Sequence, residues 1–263
     1  MATGLSRLLT VPHRGFALRF YDSSISLQLW LHPPRVPGAL EQLFRRYLRE
    51  GDTVVDVGAN IGLYTMIASV AVGAGGHVHA IEPDPRIAGY LRGNLRLNRT
   101  ANVTTHNVAL GARAGSLRFS DQGQDDRNCV VEHGPGRDVP VVRLDALPIG
   151  APDIALLKID VEGYEAFVLD GATALLPRVA CVVLETWERH FASYGYSCPD
   201  VHARLQAHGF RLFRLAGDAW VEVEPGYVST SCEDLVGVRD ADAFEARTGL
   251  TLCRHHQAPS FTR

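Results

Sequence analysis

The stretch VVDVGANIGLYT, residues 54–65, decides the fold of this chain. A run of β-branched residues ends in a loop that carries Asp56, Gly58, Asn60 and Gly62, and an apolar helical pattern follows. A strand, a glycine-bearing turn and a helix start are how an α/β sheet builds a site for an adenosine-containing ligand. The loop therefore predicts both the architecture of the domain and the place of a ligand.

The spacing within this loop argues against a dinucleotide. The dinucleotide fingerprint G-x-G-x-x-G requires glycine at its third and sixth positions, which counted from Gly58 are Asn60 and Leu63. Asp56 would repel a pyrophosphate, whereas it suits a cationic ligand such as S-adenosylmethionine, which carries a sulfonium and an ammonium but no phosphate. Two alternatives stay open: a nicotinamide-dependent oxidoreductase on the same type of sheet, and a non-catalytic binding module.

A second apolar run, HVHAIE at residues 77–82, ends in an acid. A carboxylate at this position, Glu82, can accept hydrogen bonds from both hydroxyls of a ribose. Pro83 follows it directly, and we assign both residues to the predicted cofactor site. The expected cofactor is S-adenosyl-L-methionine.

Strand and helix patterns alternate along most of the chain and predict a Rossmann-like α/β sheet with helices on both faces. A terminal strand at 219–224 is expected to add one antiparallel strand. Residues 16–32 alternate around a DSS turn and predict a β-hairpin. We expect strands at 53–57, 77–82, 102–107, 154–159, 180–186 and 210–215, and helices at 39–49, 62–72, 85–97, 164–170 and 199–208.

These patterns divide the chain into three parts. Residues 1–50 form a predicted β-hairpin and helix extension, residues 51–223 the main domain, and residues 224–263 a C-terminal extension. A polar, glycine-rich insertion at about 108–152 interrupts the main domain near the ligand end of the sheet.

Composition narrows the class of protein. The 263 residues are 46% hydrophobic and 21% charged with a formal net charge of -3, which is typical of a globular domain and argues against nucleic-acid binding. Five cysteines without a C-x-x-C motif indicate free thiols in a reducing compartment, so we expect a cytoplasmic protein. No stretch approaches the ~20 apolar residues that a membrane span needs.

The segment LLKIDVEGYE, residues 156–165, concentrates charge at the end of an apolar strand. Lys158, Asp160 and Glu162 fall within five residues there, where unpaired charge would be costly. Among the 26 basic residues, Lys158 is the single lysine, as if a compact ammonium were required in place of a guanidinium fork. We interpret all three as functional residues.

The next strand also ends in an acid, Glu185, which His190 follows. Predicted strands one, two, four and five therefore all end in carboxylates, and such a sheet edge favours a cation. A divalent metal on Asp160 and Glu185 would have an incomplete ligand set, so we predict none. Candidates for a proton acceptor are Asp160, Glu162, Glu185 and His190, of which His190 titrates nearest neutrality.

Five motifs together resemble the FkbM-type S-adenosylmethionine-dependent methyltransferases: DVGANIGLYT, EPDPRIAGYLRGNLRLN, NVALG, VVRLDAL and LKIDVEGYEAFVLDGA. The similarity covers about residues 50–190. It implies a seven-stranded sheet whose last strand is antiparallel, and methyl transfer to a hydroxyl of a sugar or natural product. The acceptor itself and the oligomeric state are not readable from the sequence.

The resemblance also implies roles by position. The loop residues would hold the methionine part of the cofactor, and Glu82 its ribose. Asn107, Val108 and Ala109 would flank the adenine. The acceptor would be faced by Lys158, Asp160, Glu162 and Glu185.

Overall fold

The computed structural model describes residues 9–21, 24–31, 36–120, 130, 136–217 and 219–253. The strands in this part of the chain are β1 (Thr10–His13), β2 (Phe16–Arg19), β3 (Thr53–Val57), β4 (His77–Ile81), β5 (Val103–His106), β6 (Ala109–Leu110), β7 (Gly115–Ser120), β8 (Gly136–Val142), β9 (Ile154–Ile159), β10 (Val179–Thr186), β11 (Arg211–Ala216), β12 (Ala219–Glu222), β13 (Glu233–Val238) and β14 (Leu252–Cys253). The α-helices are α1 (Ser24–Leu31), α2 (Ala39–Tyr47), α3 (Leu63–Val72), α4 (Pro85–Leu97), α5 (Glu165–Asp170), α6 (Glu188–Ala192), α7 (Cys198–Ala207) and α8 (Ala241–Thr248).

A mixed nine-stranded sheet forms the centre of the described structure, in the order β14-β12-β11-β13-β10-β9-β3-β4-β5. Neighbouring strands from β5 through β10 pair in parallel, while β13 is antiparallel to both β10 and β11. The carboxyl ends of the parallel strands meet at one edge, which is where ligands bind in such sheets. The predicted Rossmann-like class is confirmed, whereas the described sheet has nine strands in place of the seven that the family resemblance implied.

The antiparallel strand inside the sheet is β13, not the predicted terminal strand at 219–224. β12 does pair antiparallel with β11, but on its outer side, and it has two buried positions, Trp220 and Val221. The run Leu235–Val238 of β13 is buried throughout, as a strand covered on both faces requires. This strand comes from the predicted C-terminal extension, so a boundary at residue 223 cuts through the sheet.

The apolar runs of the central strands fill two cores, one on each face. Val54 packs on one face with Leu156, while the adjacent residues Val55 and Leu157 pack on the other. Side chains alternate across a strand, and helices cover both faces, so both sets are apolar. Helices α2, α3, α4 and α8 cover the first face, and α5, α6 and α7 the second.

The hairpin predicted at 16–32 is wrong: the observed hairpin lies earlier in the chain, at residues 10–19. The observed hairpin pairs β1 with β2 around Gly15, whose φ of +95° favours glycine. Its predicted second strand is instead α1, where the buried Ser26 hydroxyl accepts the backbone N–H of Tyr21 at 3.2 Å. Over so few residues, a mixed apolar pattern does not separate a strand from a short helix.

The insertion forms a small three-stranded sheet in the order β6-β8-β7. β8 ends at Val142, and Leu144–Ala146 form a 3₁₀ turn. Phe119 of β7 lines the cavity at the ligand edge of the central sheet. Residues 121–129 and 131–135 lie outside the described residues. Among the described helices, none has the length and apolarity needed to cross a bilayer.

Candidate active site

A cavity of about 250 Å³ opens at the carboxyl edge of the parallel strands. It brings together nine of the predicted site residues from the ends of four strands and the turns that follow them. Its lining consists of Asp56, Gly58, Ala59, Asn60, Leu63, Tyr64, Glu82, Pro83, Phe119, Lys158, Asp160, Val161, Glu162 and Glu185.

Gly58 allows the loop after β3 to lie directly against the end of β9. Its φ is +78°, and a Cβ built on it would lie 1.7 Å from the carbonyl oxygen of Asp160. The amides of Gly58 and Ala59 donate to the carbonyl oxygen of Ile81 at 3.0 and 2.9 Å. The loop is therefore fixed on both sides by backbone.

Glu82 is fixed by the same loop. One carboxylate oxygen accepts the backbone N–H of Asn60 and the other that of Asp84, each at 2.9 Å. Burial raises the pKa of Glu82 to about 8. The two backbone hydrogen bonds lower this pKa, but burial has the larger effect. Asn60 itself has a φ of +49°, which turns its amide toward the carboxylate.

A narrow apolar slot of about 30 Å³ adjoins the cavity. Val108 and Ala109 line it together with Phe119 and Val161, so two of the three residues predicted to flank an adenine lie beside an apolar space. Asn107 does not line it. Its side-chain amide donates to the carbonyl oxygens of Glu82 and Pro83 at 2.8 and 2.9 Å and so shapes the loop after β4.

Gly62 is outside the cavity lining and serves the turn into α3. Its φ is +95°, and a Cβ there would lie 2.5 Å from Cδ1 of Leu91 in α4. Glycine at this position lets α3 and α4 pack closely. Gly62 was predicted to contact the cofactor, but it does not line the cavity.

Lys158 is the cation at the centre of the site. Its side chain is 3% exposed, and its Nζ lies 3.0 Å from Oδ2 of Asp160, 3.6 Å from Oδ1 of Asp56 and 5.5 Å from the ring centre of Tyr64. Burial alone would lower the pKa of this ammonium, but Asp160 and Asp56 raise it further than burial lowers it. The buried Asp56 is also held by the Thr65 hydroxyl at 2.6 Å.

Carboxyl groups crowd the side of the cavity away from Glu82. Burial, and then the charge of Asp160, raise the pKa of Glu185 to about 7 and that of Asp234 to about 6. The Cys232 thiol donates to Glu185 Oε1 at 3.0 Å, which lowers the pKa of Glu185. This side of the cavity therefore attracts cations and proton-bearing groups.

His190 is absent from the cavity lining but lies next to it. Its Nδ1 is 3.5 Å from Oε2 of Glu162, and its ring packs against Trp187 at 4.5 Å between centres. Burial, and then Arg189, lower the pKa of His190. One ligand atom each from Glu162, Glu185 and His190 lies within 4.8 Å of the others, and these residues could hold a metal ion.

Sequence reasoning missed Asp234 and the aromatic residue Tyr64. Asp234 pairs directly with Glu185 across β13 and β10, so the two side chains share a face. The signal was an acid at the start of an apolar run, but it was visible only once β13 was placed beside β10.

Comparison with known proteins agrees with this geometry. The model of the methyltransferase FkbM domain matches residues 56–212, which include the loop after β3, the acid after β4 and the charged end of β9. The chain belongs to the FkbM methyltransferase family. Its cofactor is S-adenosylmethionine.

Curated relatives of this FkbM-family methyltransferase differ in their named acceptors. This chain is 29% identical to 31-O-demethyl-FK506 methyltransferase FkbM of Streptomyces tacrolimicus, over 74% of this chain and 83% of that protein. It is 28% identical to the hexuronic acid methyltransferase AglP of Haloferax volcanii, over 65% and 71%.

A third match is shorter. Protein-L-isoaspartate O-methyltransferase of Methanothrix thermoacetophila is 36% identical over 35% of this chain, and the chain spans only 41% of that relative's length. The solved structure of a methylase from Clostridium thermocellum aligns with 78% of this chain over 97% of its own residues, with a TM-score of 0.50 and 11% sequence identity. That likeness shows the fold.

Proposed function

We propose that this protein transfers the methyl group of S-adenosylmethionine to a hydroxyl oxygen of a sugar or natural-product acceptor. The observation that carries the proposal is the ring of carboxyl groups at the ends of β3, β4, β9 and β10 around one cavity. A positively charged methyl donor fits such a cavity, whereas a phosphate-bearing cofactor would be repelled.

The cofactor is proposed to lie across the cavity and the slot beside it. The loop of Asp56, Gly58 and Asn60 faces the methionine part, and Glu82 takes the ribose hydroxyls. A carboxylate oxygen has two lone pairs, so Glu82 keeps acceptor capacity beyond its bonds to Asn60 and Asp84. The apolar slot lined by Val108 and Ala109 suits the adenine ring.

The proposed step is an in-line displacement at the methyl carbon. The acceptor oxygen forms a bond to this carbon as the carbon–sulfur bond breaks, and the electron pair of that bond stays on sulfur to leave neutral S-adenosylhomocysteine. The hydroxyl proton must leave the acceptor oxygen as the new bond forms. Positioning of the two reacting atoms supplies much of the rate in such a step.

The side chains proposed to face the acceptor are Lys158, Asp160, Glu162, Glu185 and His190. Lys158 donates a hydrogen bond to Asp160 at 3.0 Å and so fixes the orientation of that carboxylate. The proposed proton acceptors are Asp160, Glu162, Glu185 and His190. The named acceptors of the relatives, demethyl-FK506 and hexuronic acid, support a natural product or a glycan.

The test begins with isothermal titration of S-adenosylhomocysteine, for which we expect 1:1 binding. The protein is then incubated with S-adenosylmethionine labelled in its methyl group and a panel of hydroxylated sugars and macrolides. Label in an ether product supports the proposal. Binding of S-adenosylhomocysteine with label only on nitrogen or carboxyl groups would refute oxygen methylation of a hydroxyl. Tight binding of reduced nicotinamide cofactor in its place would favour the oxidoreductase alternative.

A further inference from the structure

Three side chains at the acceptor end of the cavity come from three separate segments of the chain. Glu162 lies in the turn after β9, Glu185 near the end of β10, and His190 in α6. One oxygen or nitrogen atom from each lies within 4.8 Å of the other two. The set differs from a chance cluster of surface acids because an imidazole nitrogen converges with two carboxylates.

The spacing of these atoms suits a shared ion better than a direct hydrogen bond. The 3.5 Å between Nδ1 of His190 and Oε2 of Glu162 is long for a hydrogen bond. Two ligand atoms that each lie about 2.1 Å from one ion, at angles of about 90 to 120°, are roughly 3.0 to 3.6 Å apart. The observed separation falls within this range.

The backbone is bent to bring Glu162 to this place. Glu162 has a φ of +55°, a conformation that costs of the order of 1 kcal/mol or more in a residue other than glycine. Gly163 follows with a φ of +99°, and a Cβ there would lie 2.9 Å from the carbonyl oxygen of His190. The missing side chain thus allows the turn that carries Glu162 to pack against the helix that carries His190.

Neighbouring groups hold two of the three side chains, as outer-shell partners do around metals. The Cys232 thiol donates to one carboxylate oxygen of Glu185 at 3.0 Å. The ring of His190 packs against that of Trp187, with 4.5 Å between the ring centres.

The charge of the cavity also favours a second cation. Its described lining carries five carboxyl groups, and Lys158 supplies its one ammonium. That ammonium lies 3.6 Å from Asp56 and 3.0 Å from Asp160. S-adenosylmethionine adds a net charge of only about +1 at neutral pH, since its carboxylate offsets its ammonium.

We propose that Glu162, Glu185 and His190 bind a single divalent cation. Two carboxylates suit Mg²⁺ and Mn²⁺, and an imidazole suits transition metals, so Mn²⁺ is the probe that matches both kinds of ligand. This proposal revises the prediction of no metal. That prediction weighed only Asp160 and Glu185 as ligands, because the sequence did not show that Glu162 and His190 lie beside Glu185. The chemical role, though not the ion binding, depends on the proposed function: the ion would polarise the acceptor hydroxyl, and Asp160, which is not a ligand, would take its proton.

The test is a titration of the EDTA-treated full chain with MnCl₂. Electron paramagnetic resonance measures binding as a decrease in the signal of free Mn²⁺. We expect one saturable site per chain. Glu162→Gln and His190→Ala should each weaken Mn²⁺ binding at least tenfold. Asp153→Asn serves as the matched control, because this exposed acid precedes the same strand β9 at its opposite end, and it should bind Mn²⁺ like the wild type.

Two results would overturn the metal site: no saturable Mn²⁺ binding, or binding that Glu162→Gln and His190→Ala leave unchanged. Titration of S-adenosylhomocysteine into every variant verifies that the fold and the cofactor site persist. It also separates the two proposals. Protein that binds S-adenosylhomocysteine but no Mn²⁺ refutes the metal site alone, whereas protein that binds Mn²⁺ but no S-adenosylhomocysteine contradicts the proposed function alone.

Discussion

The backbone N–H of Asn60 donates a 2.9 Å hydrogen bond to Oε2 of Glu82. This bond joins the loop after β3 to the acid after β4, two parts of the chain that are predicted to hold different ends of the cofactor. Glu82 is 7% exposed, so its orientation is set by the protein before any ligand arrives. An acid held in this way loses little freedom when it binds a ribose, which favours affinity.

Glu82→Gln should therefore weaken S-adenosylhomocysteine binding at least tenfold, or about 1.4 kcal/mol. The amide replaces one acceptor oxygen by a donor, so either Asn60 or Asp84 loses a partner and the ribose loses an acceptor. Isothermal titration measures the change, and Asp153→Asn is the control. Equal affinity of the Gln variant and the wild type would remove Glu82 from the cofactor site.

Gly58→Ala should abolish or strongly destabilise the fold. The added Cβ would meet the carbonyl oxygen of Asp160 at 1.7 Å, and both partners are backbone. Gly51→Ala is a matched control, because Gly51 has a similar φ of +88° but no atom within 4 Å of the place that an added Cβ would take. We expect the control to cost only about 1–2 kcal/mol, the strain of a positive φ. Urea unfolding compares the two, and similar midpoints would show that the close contact is unimportant.

Lys158→Met should lower the free energy of unfolding by about 3–5 kcal/mol, since it leaves Asp56 and Asp160 without their buried counter-charge. Adding Asp160→Asn should recover part of this loss, because the double variant carries one negative charge fewer beside the buried Asp56. Lys158→Arg should also destabilise, as a planar fork does not fit the space of an ammonium against Tyr64. Chemical unfolding of all three variants checks this, and wild-type stability of Lys158→Met would show that the pairs are dispensable.

The sequence predicted those parts of the site that strand ends determine. Asp56, Glu82, Asp160 and Glu185 all end apolar strands, and parallel pairing alone brings such residues to one edge. Lys158 was found because a charge within a buried run is costly without a partner.

Features set by tertiary packing were not predictable in this way. Asp234 enters the site only through the register of β13 against β10, and the proximity of His190 to Glu162 depends on how Gly163 packs against α6. The hairpin at 16–32 failed for a related reason: short apolar patterns carry too little periodic information to choose between strand and helix.

A group of histidines on the sheet, away from the cavity, should make the fold sensitive to acid. His79 in β4 is 8% exposed, its Nδ1 lies 3.1 Å from Nε2 of His106, and its ring lies 4.9 Å from that of His77. Burial, and then His77 and His106, lower the pKa of His79 to about 4, and burial lowers that of His106 as well. Neutral imidazoles are thus favoured in the folded state.

The unfolded chain binds a proton at His79 near its ordinary pKa of 6.5, while the folded chain does so only near 4. The folded state is therefore penalised as pH falls through this window, by at most about 1.4 kcal/mol per pH unit for each such proton. His79→Gln should flatten the difference in unfolding free energy between pH 7 and pH 4.5, measured by urea titration. His208→Gln, at the end of α7, should keep the wild-type slope. Carboxyl groups with raised pKa values, such as Glu82, act in the opposite direction, so the comparison of variant with wild type isolates the histidine contribution; identical slopes in all three proteins would contradict it.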